Sequence, residues 1–290
     1  MKHSMVVLFQ TKRGLLLLAQ SSLVAFGILS GFAQIVLAIW PNPHLSSNER
    51  WFLLAALLVA SLVFGLSRTW PRSGADRSFD SPDITVSIVV GDLFDQQTHL
   101  VVGFNDVFDT DTTDSVIIAA SSVQGQFLQR IYGGDRGKLD ADISDSLAGV
   151  QISEAEDRAN KSAGKLERYP MGTVAVLGAP NRHYFCVAYT KMQNNLIAQS
   201  DVDLLWRSLS EVWESVYLRG QQKAVSIPIV GSELARINCL DRESLLRMIL
   251  LSFVARSRQG IFCKELRIVV HPKDFDQLNM LEVAAFLRTL

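Results

Sequence analysis

The chain has 290 residues, with 28 basic and 29 acidic side chains and a formal net charge of -1. That balance excludes a general electrostatic attraction to nucleic acid, which needs a concentrated basic face. The mean hydropathy of +0.19 is high for a soluble domain, and the excess is local.

No charged residue lies between Gly14 and Trp40. A helix over Leu15 to Trp40 is about 39 Å long, enough to cross the hydrocarbon core with some tilt. Pro41 and Pro43 stop it. A second apolar segment, 51–67, follows between Arg50 and Arg68. Trp40, Trp51 and Trp70 fall where interfacial aromatics are expected. Residues 1–66 therefore read as a transmembrane helical hairpin. Lys2, Lys12 and Arg13 precede it, Arg68, Arg72 and Arg77 follow it, and the connecting loop carries only Glu49 and Arg50. The positive-inside rule puts both ends of this two-pass anchor in the cytoplasm. A cleaved signal peptide fits less well, because the apolar stretch is too long and ends at Ile39-Trp40-Pro41. Gly27 and Gly31 have the spacing that lets helices approach closely, and with Ser22, Ser30 and Gln34 they suit helix association. A plain anchor is the alternative.

Residues 67–82 contain Pro71, Gly74 and Pro82 among Ser, Arg and Asp, and read as a linker. The remaining domain, 83–290, opens with Ile84, Val86, Ile88 and Val90 in strand alternation, ending at Gly91-Asp92-Leu93. Leu100 to Val102 form a second strand, ending at Gly103-Phe104-Asn105-Asp106, with Asp109 and Thr110 beyond. Short polar residues after apolar strands make a rim where ligands are met, and they also make ordinary turns. Asp92 is thus either a ligand acceptor or a turn cap. The aspartates of 109–114 lack the glycine and closing glutamate of a calcium loop. Ser121, Ser122 and Gly125 open a helix, a place where hydroxyls and amides bind phosphate. Leu139, Ile143 and Leu147 give one amphipathic helix within 133–168, followed by a loop that is a cover for the ligand's distal end, an oligomer contact or a solvated excursion. His183 to Thr190 is a strand with His183 at its surface edge.

Val202, Leu205, Trp206, Leu209, Val212, Trp213 and Val216 form the core stripe of a helix. Val225 to Val230 is a buried strand that runs into Pro228, Gly231, Ser232, Glu233, Leu234 and Arg236. Small residues there expose amides to a pyrophosphate, and Arg236 adds a positive charge. Asp241 caps a further helix, 265–270 is a strand, and 275–290 closes with a helix. Cys186, Cys239 and Cys263 lack metal spacing and read as reduced core residues. No nucleophile motif, zinc motif or phosphate-binding lysine loop is present, so no catalytic set and no metal site are assigned.

Gly91-Asp92-Leu93, the polar turn at Gly103 to Asp106 and the loop Val225 to Arg236 together resemble the macro domain, a family of ADP-ribose-binding modules. The resemblance covers roughly 83–290 and departs from the pattern in two places. The usual Asn-Ala-Ala-Asn turn is absent, and serines with a single Gly125 stand where a glycine run is usual. It implies a three-layer α/β/α fold with a mixed central sheet. It also implies adenine held by Asp92 and the backbone at Leu93, a distal ribose near Asn105 and Asp106, and pyrophosphate against the serine and Gly231 loops. With the hairpin, the chain looks like the membrane-anchored macro-domain effectors of type II Thoeris anti-phage defence. That implies residence in a bacterial inner membrane, no enzymatic activity and no cofactor. The ligand would be a signal made by a TIR-domain partner, expected to be histidine-ADP-ribose. Binding would lead to homo-oligomerisation, disruption of the lipid bilayer and death of the infected cell. A tethered ADP-ribosyl hydrolase and a tethered nucleotide-binding scaffold are the alternatives.

Overall fold

The computed structural model describes residues 9, 12–39, 46–70, 74–231 and 240–290. They divide into two compact units: 1–73 with 279–282, and 74–278 with 283–290.

The first unit is built on α1 (Lys12–Ile39) and α2 (Ser47–Thr69), which pack against each other. Ser46 starts α2 with a reciprocal cap: its backbone amide donates to Glu49 Oε2 at 2.7 Å and its hydroxyl accepts from Glu49 N. The hydroxyls inside α2 bond back to their own helix, Ser61 to Leu57 O and Thr69 to Gly65 O. No polar group of theirs then has to seek water. Gly65 lies so close to Ser22 of α1 that a Cβ there would overlap the hydroxyl. Leu23, Ile28, Phe32, Trp51, Phe52 and Val59 point outward, each more than half exposed. Both helices are long and apolar enough to cross a membrane, over Gly14–Ile39 and Asn48–Thr69. Trp40, Pro41 and Pro43 lie outside the described residues.

The second unit runs β1 (Ala75–Asp80), β2 (Asp83–Val90), β3 (His99–Asn105), α3 (Val123–Ile131), α4 (Arg136–Leu147), β4 (Glu154–Ala155), β5 (Glu167–Arg168), β6 (Val174–Ala179), β7 (Arg182–Met192), β8 (Ala198–Gln199), α5 (Val202–Arg219), β9 (Val225–Pro228), α6 (Arg242–Ser257), β10 (Glu265–Val270) and α7 (Met280–Leu287). The main sheet has the order β1-β2-β10-β9-β3-β7-β6, with β8 paired to the end of β7. From β2 to β7 all pairs are parallel, and the outer pairs, β1 with β2 and β6 with β7, are antiparallel. β10, the last strand made, therefore lies between β2 and β9.

Parallel strands are covered on both faces, which accounts for the nearly continuous burial of β3. One face carries α3 and α4, packing Phe127, Leu128, Leu139 and Ile143 on Leu100, Val102 and Phe104. The other carries α5 and α6, where Trp213 meets Phe253 and Phe262 and donates to Ser252 Oγ at 3.0 Å. The three-layer α/β/α fold with a mixed sheet is thus as expected.

Three readings are corrected. The segment 67–82 is not wholly linker: α2 runs to Thr69, and Ala75–Asp80 form β1, an edge strand. Its alternation is hidden because Arg77 and Phe79 share its half-buried face, the guanidinium 4.7 Å from the ring and bonded to Leu287 O at 2.8 Å. His183 is not a surface residue but 9% exposed, its ring stacked on His99. Trp206, read as core, is 42% exposed, whereas Trp213 is buried. Cys186 and Cys263 are buried thiols, the latter pushed up to about 12 by burial. Cys239 lies outside the described residues.

Candidate ligand cleft

In open α/β sheets, ligands bind where the carboxyl ends of parallel strands meet a crevice. Here β3, β9 and β10 end together around a cleft of about 640 Å³. Its floor is Gly103, Phe104, Asn105, Tyr189, Thr190 and Met192. The loop Ser115–Ala119, the start of α3 and Leu196–Ala198 also line it, and Ile117, Ile118 and Ala198 cluster with Met192. Pro228 to Gly231 and then His271, Lys273 and Asp274 complete the rim. Gly103 has a structural reason to be glycine, since a Cβ there would run into the Tyr189 ring.

The start of α3 gives the cleft a favourable end for anions. Ser122 caps the helix, accepting from Gly125 N at 3.0 Å, and neighbouring amides and Ser121 border the space. Gly125 itself is one turn in. A Cβ there would lie 2.5 Å from Ala119 O and 2.6 Å from Ala120 O, so its smallness serves backbone packing.

Of the residues singled out in the sequence, the cleft brings together Asn105, Ser121, Ser122, Pro228 and Gly231. Ser232, Glu233, Leu234 and Arg236 lie outside the described residues. Asp92 sits at the end of β2, next to β10, and does not line the cleft. Its Oδ1 accepts from Phe94 N at 2.8 Å, the turn-capping alternative, and its Oδ2 pairs with Arg130 at 2.5 Å. Leu93 is buried in the core below.

Asp106, Asp109 and Thr110 turn away from the cleft into a buried network. Asp106 Oδ1 accepts from Met192 N at 2.8 Å and its Oδ2 binds Arg168 Nη1 at 2.6 Å. Arg168 also reaches Glu156 at 2.7 Å and Met192 O at 2.6 Å. Asp109 Oδ1 accepts from Lys165 N at 2.6 Å, and its Oδ2 faces Lys161 Nζ at 3.7 Å. Lys161 is wholly buried and donates to Lys165 O at 2.6 Å. Thr110 donates to Asp140 at 2.7 Å. Burial pushes Asp109 above the usual carboxylate range despite Lys161 and Lys165, and burial pulls Lys161 below the usual ammonium range despite Asp109. The loop after α4 is exposed over most of 148–160, and Lys161 and Arg168 anchor its end under the β3 turn.

Sequence reasoning missed His271, Lys273 and Asp274. The signal was present: an apolar strand running straight into polar residues, as at the ends of β2 and β9. The apolar lining at Val116–Ile118 and Leu196–Ala198 gave no such signal, because nothing local marks two distant turns as packing into one cluster. Among the described residues, no group of three His, Cys, Asp or Glu side chains is placed to hold a metal ion.

Residues 86–271 match the family described as Thoeris protein ThsA, Macro domain. The Thoeris protein ThsA of Bacillus amyloliquefaciens (strain Y2) is 28% identical over 206 residues, covering 69% of this chain and 67% of that protein. Among solved structures, a mutant of the Oceanobacillus iheyensis macrodomain aligns over 74% of this chain and 100% of its own, at 14% identity and a TM-score of 0.48. The same macrodomain with ADP aligns over 76% of this chain and 100% of its own, at 11% identity and a TM-score of 0.41. With the family match spanning most of the α/β unit, from β2 to the end of β10, this chain belongs to the ThsA macro-domain family of Thoeris defence proteins.

Proposed function

We propose that the cleft binds an ADP-ribose-derived signal and that its occupancy switches the membrane hairpin. The observation that carries this reading is the anion-favouring start of α3 at a cleft on the strand ends, in a chain of this family. Structures of the Oceanobacillus iheyensis macrodomain with ADP and with ADPR accord with such a ligand. In this reading the diphosphate lies against Ser121, Ser122 and Gly231, and the distal ribose near Asn105. Asp92 reaches adenine only by giving up part of its bond to Arg130. Asp106, Asp109 and Thr110 support the site from behind. Ser232, Glu233, Leu234 and Arg236 complete the phosphate loop.

The two apolar helices anchor the chain in a bacterial inner membrane, with residues 74–290 in the cytoplasm. The signal is histidine-ADP-ribose made by a TIR-domain partner, and binding drives self-association, bilayer disruption and death of the infected cell. The protein acts by binding rather than turnover. The carboxylates nearest Asn105 are those of Asp106 and Asp109, and both are buried and bonded to the chain itself. A ligand shifts such an equilibrium only by as much as it prefers the assembled state.

Calorimetric titration of the detergent-solubilised chain tests the reading against ADP-ribose, NAD and histidine-ADP-ribose, with particle size followed by chromatography. Saturable binding with growth in particle size is expected. Absence of heat with all three removes the reading, and binding without a change in size removes the switching part of it.

A further inference from the structure

The buried charges behind the β3 turn do not line the cleft, yet each leads to a residue that does. Asn105 Nδ2 donates to Asp109 Oδ2 at 3.3 Å, while its Oδ1 accepts from Val107 N at 3.2 Å and Asp109 N at 3.0 Å. Gln124, at the start of α3, donates its amide to Asp109 O. Met192 is held at both backbone atoms, its N by Asp106 and its O by Arg168. Asn105, Gln124 and Met192 all line the cleft. The segment that supplies Lys161 and Arg168 is itself tied down: Ser153 N donates to Arg168 O at 2.8 Å and Tyr169 N to Asp106 O at 2.8 Å. Gly164, at φ +81°, leaves room for the carboxylate of Asp109, which a Cβ would approach to 2.7 Å.

We propose that Lys161 is a positioning residue for ligand binding, acting through Asp109 to fix Asn105 and Gln124 at the cleft. Arg168 does the same for Met192 through Asp106. The proposal rests on the nucleotide-binding reading and deepens it. The alternative is that the cluster only stabilises the fold.

The physical chain is short. The Lys165 amide and the Lys161 ammonium favour an ionised Asp109 against its burial, and the ionised carboxylate is the better acceptor for Asn105 Nδ2 and Lys165 N. The charged groups around Asp109 are Lys161 and Lys165 from the segment after α4, with Asp106 and Arg168 beyond Lys161. Lys165 is already engaged, its ammonium 2.6 Å from Asp140 of α4. Protonating Asp109 therefore loosens Asn105, and affinity falls as the pH drops through the titration of Asp109. Without Lys161, less positive charge opposes that protonation.

The test is the pH profile of ADP-ribose affinity in the full chain in detergent. Three variants are compared: Lys161→Met, Gly164→Ala, which keeps every charge but crowds Asp109, and Trp213→Phe, a core control on the far face of the sheet. Lys161→Met is expected to bind about tenfold more weakly at pH 7, the loss that one missing hydrogen bond gives. Its half-loss of affinity should move up by about one pH unit. Gly164→Ala should weaken binding several-fold, and it carries the test if Lys161→Met does not fold. Trp213→Phe should lower the unfolding midpoint and leave affinity and pH profile unchanged. Wild-type affinity and profile in a folded Lys161→Met, or in Gly164→Ala if that is the variant that folds, overturns this inference alone. Failure of the unaltered chain to bind ADP-ribose at any pH overturns the nucleotide reading as well.

Discussion

At the scale of single residues, the pair Asp109 and Lys161 sets the energetics of the β3 turn. Removing one member of a buried pair leaves an uncompensated charge, at about 3–5 kcal/mol, whereas replacing both is often neutral. Lys161→Met should therefore destabilise the domain by about that amount in urea unfolding at pH 7. The double variant Asp109→Asn, Lys161→Met should recover most of it. If the double variant is no more stable than the single one, the pair is not the cause. The pH dependence follows from the directions of the two shifts. Asp109 titrates above its ordinary 3.8 when folded, so its contribution is present below that pH and lost as pH rises through the folded value. Lys161 titrates below 10.5, so its contribution is present at high pH and lost as pH falls through its folded value. Both charged forms are thus disfavoured between these limits, and the double variant should show a flatter stability profile on the acid side. None of this was legible in the sequence. Asp106, Asp109 and Thr110 look like a ligand rim, and nothing local announces that Lys161 and Arg168 fold back beneath them.

At the scale of elements, regular periodicity was legible and irregular pairing was not. α5 was readable because its apolar residues recur on one face, and α6 because Asp241 caps its start. β2 and β9 were readable because each is an apolar run closed by glycine or proline. β1 escaped because Ala75 to Asp80 is mostly polar, and its inward face relies on Arg77 stacked over Phe79. Of the site, the strand ends and the serine cap were readable; the rest of the lining depends on turns brought together only by the finished sheet. The cap gives a prediction at this scale. Ser122→Ala should cost about 1 kcal/mol by removing the acceptor for Gly125 N. It should also weaken ADP-ribose binding, because the same turn borders the cleft. Unfolding and titration of the same preparation separate the two effects, and unchanged affinity would place the phosphates elsewhere.

At the scale of the whole molecule, the hairpin and the α/β unit solve different problems. In α2 the hydroxyls of Ser61 and Thr69 bond back to their own helix, the local solution that an apolar surrounding demands. The α/β unit instead builds its stability from pairings distant in sequence, above all through β10, which pairs with β2 on one side and β9 on the other. Order of synthesis then matters. During translation α1 and α2 emerge before the α/β unit, while β10, an interior strand, follows every other strand of the sheet. Until it is made, β2 and β9 lack their shared neighbour and expose edges able to pair with other chains. A chain stopped before Glu265 should therefore accumulate as aggregate with its apolar helices already made, which fractionation of expressing cells would reveal. Both apolar helices are thus complete well before the cleft, whose lining includes Val269 of β10, can form.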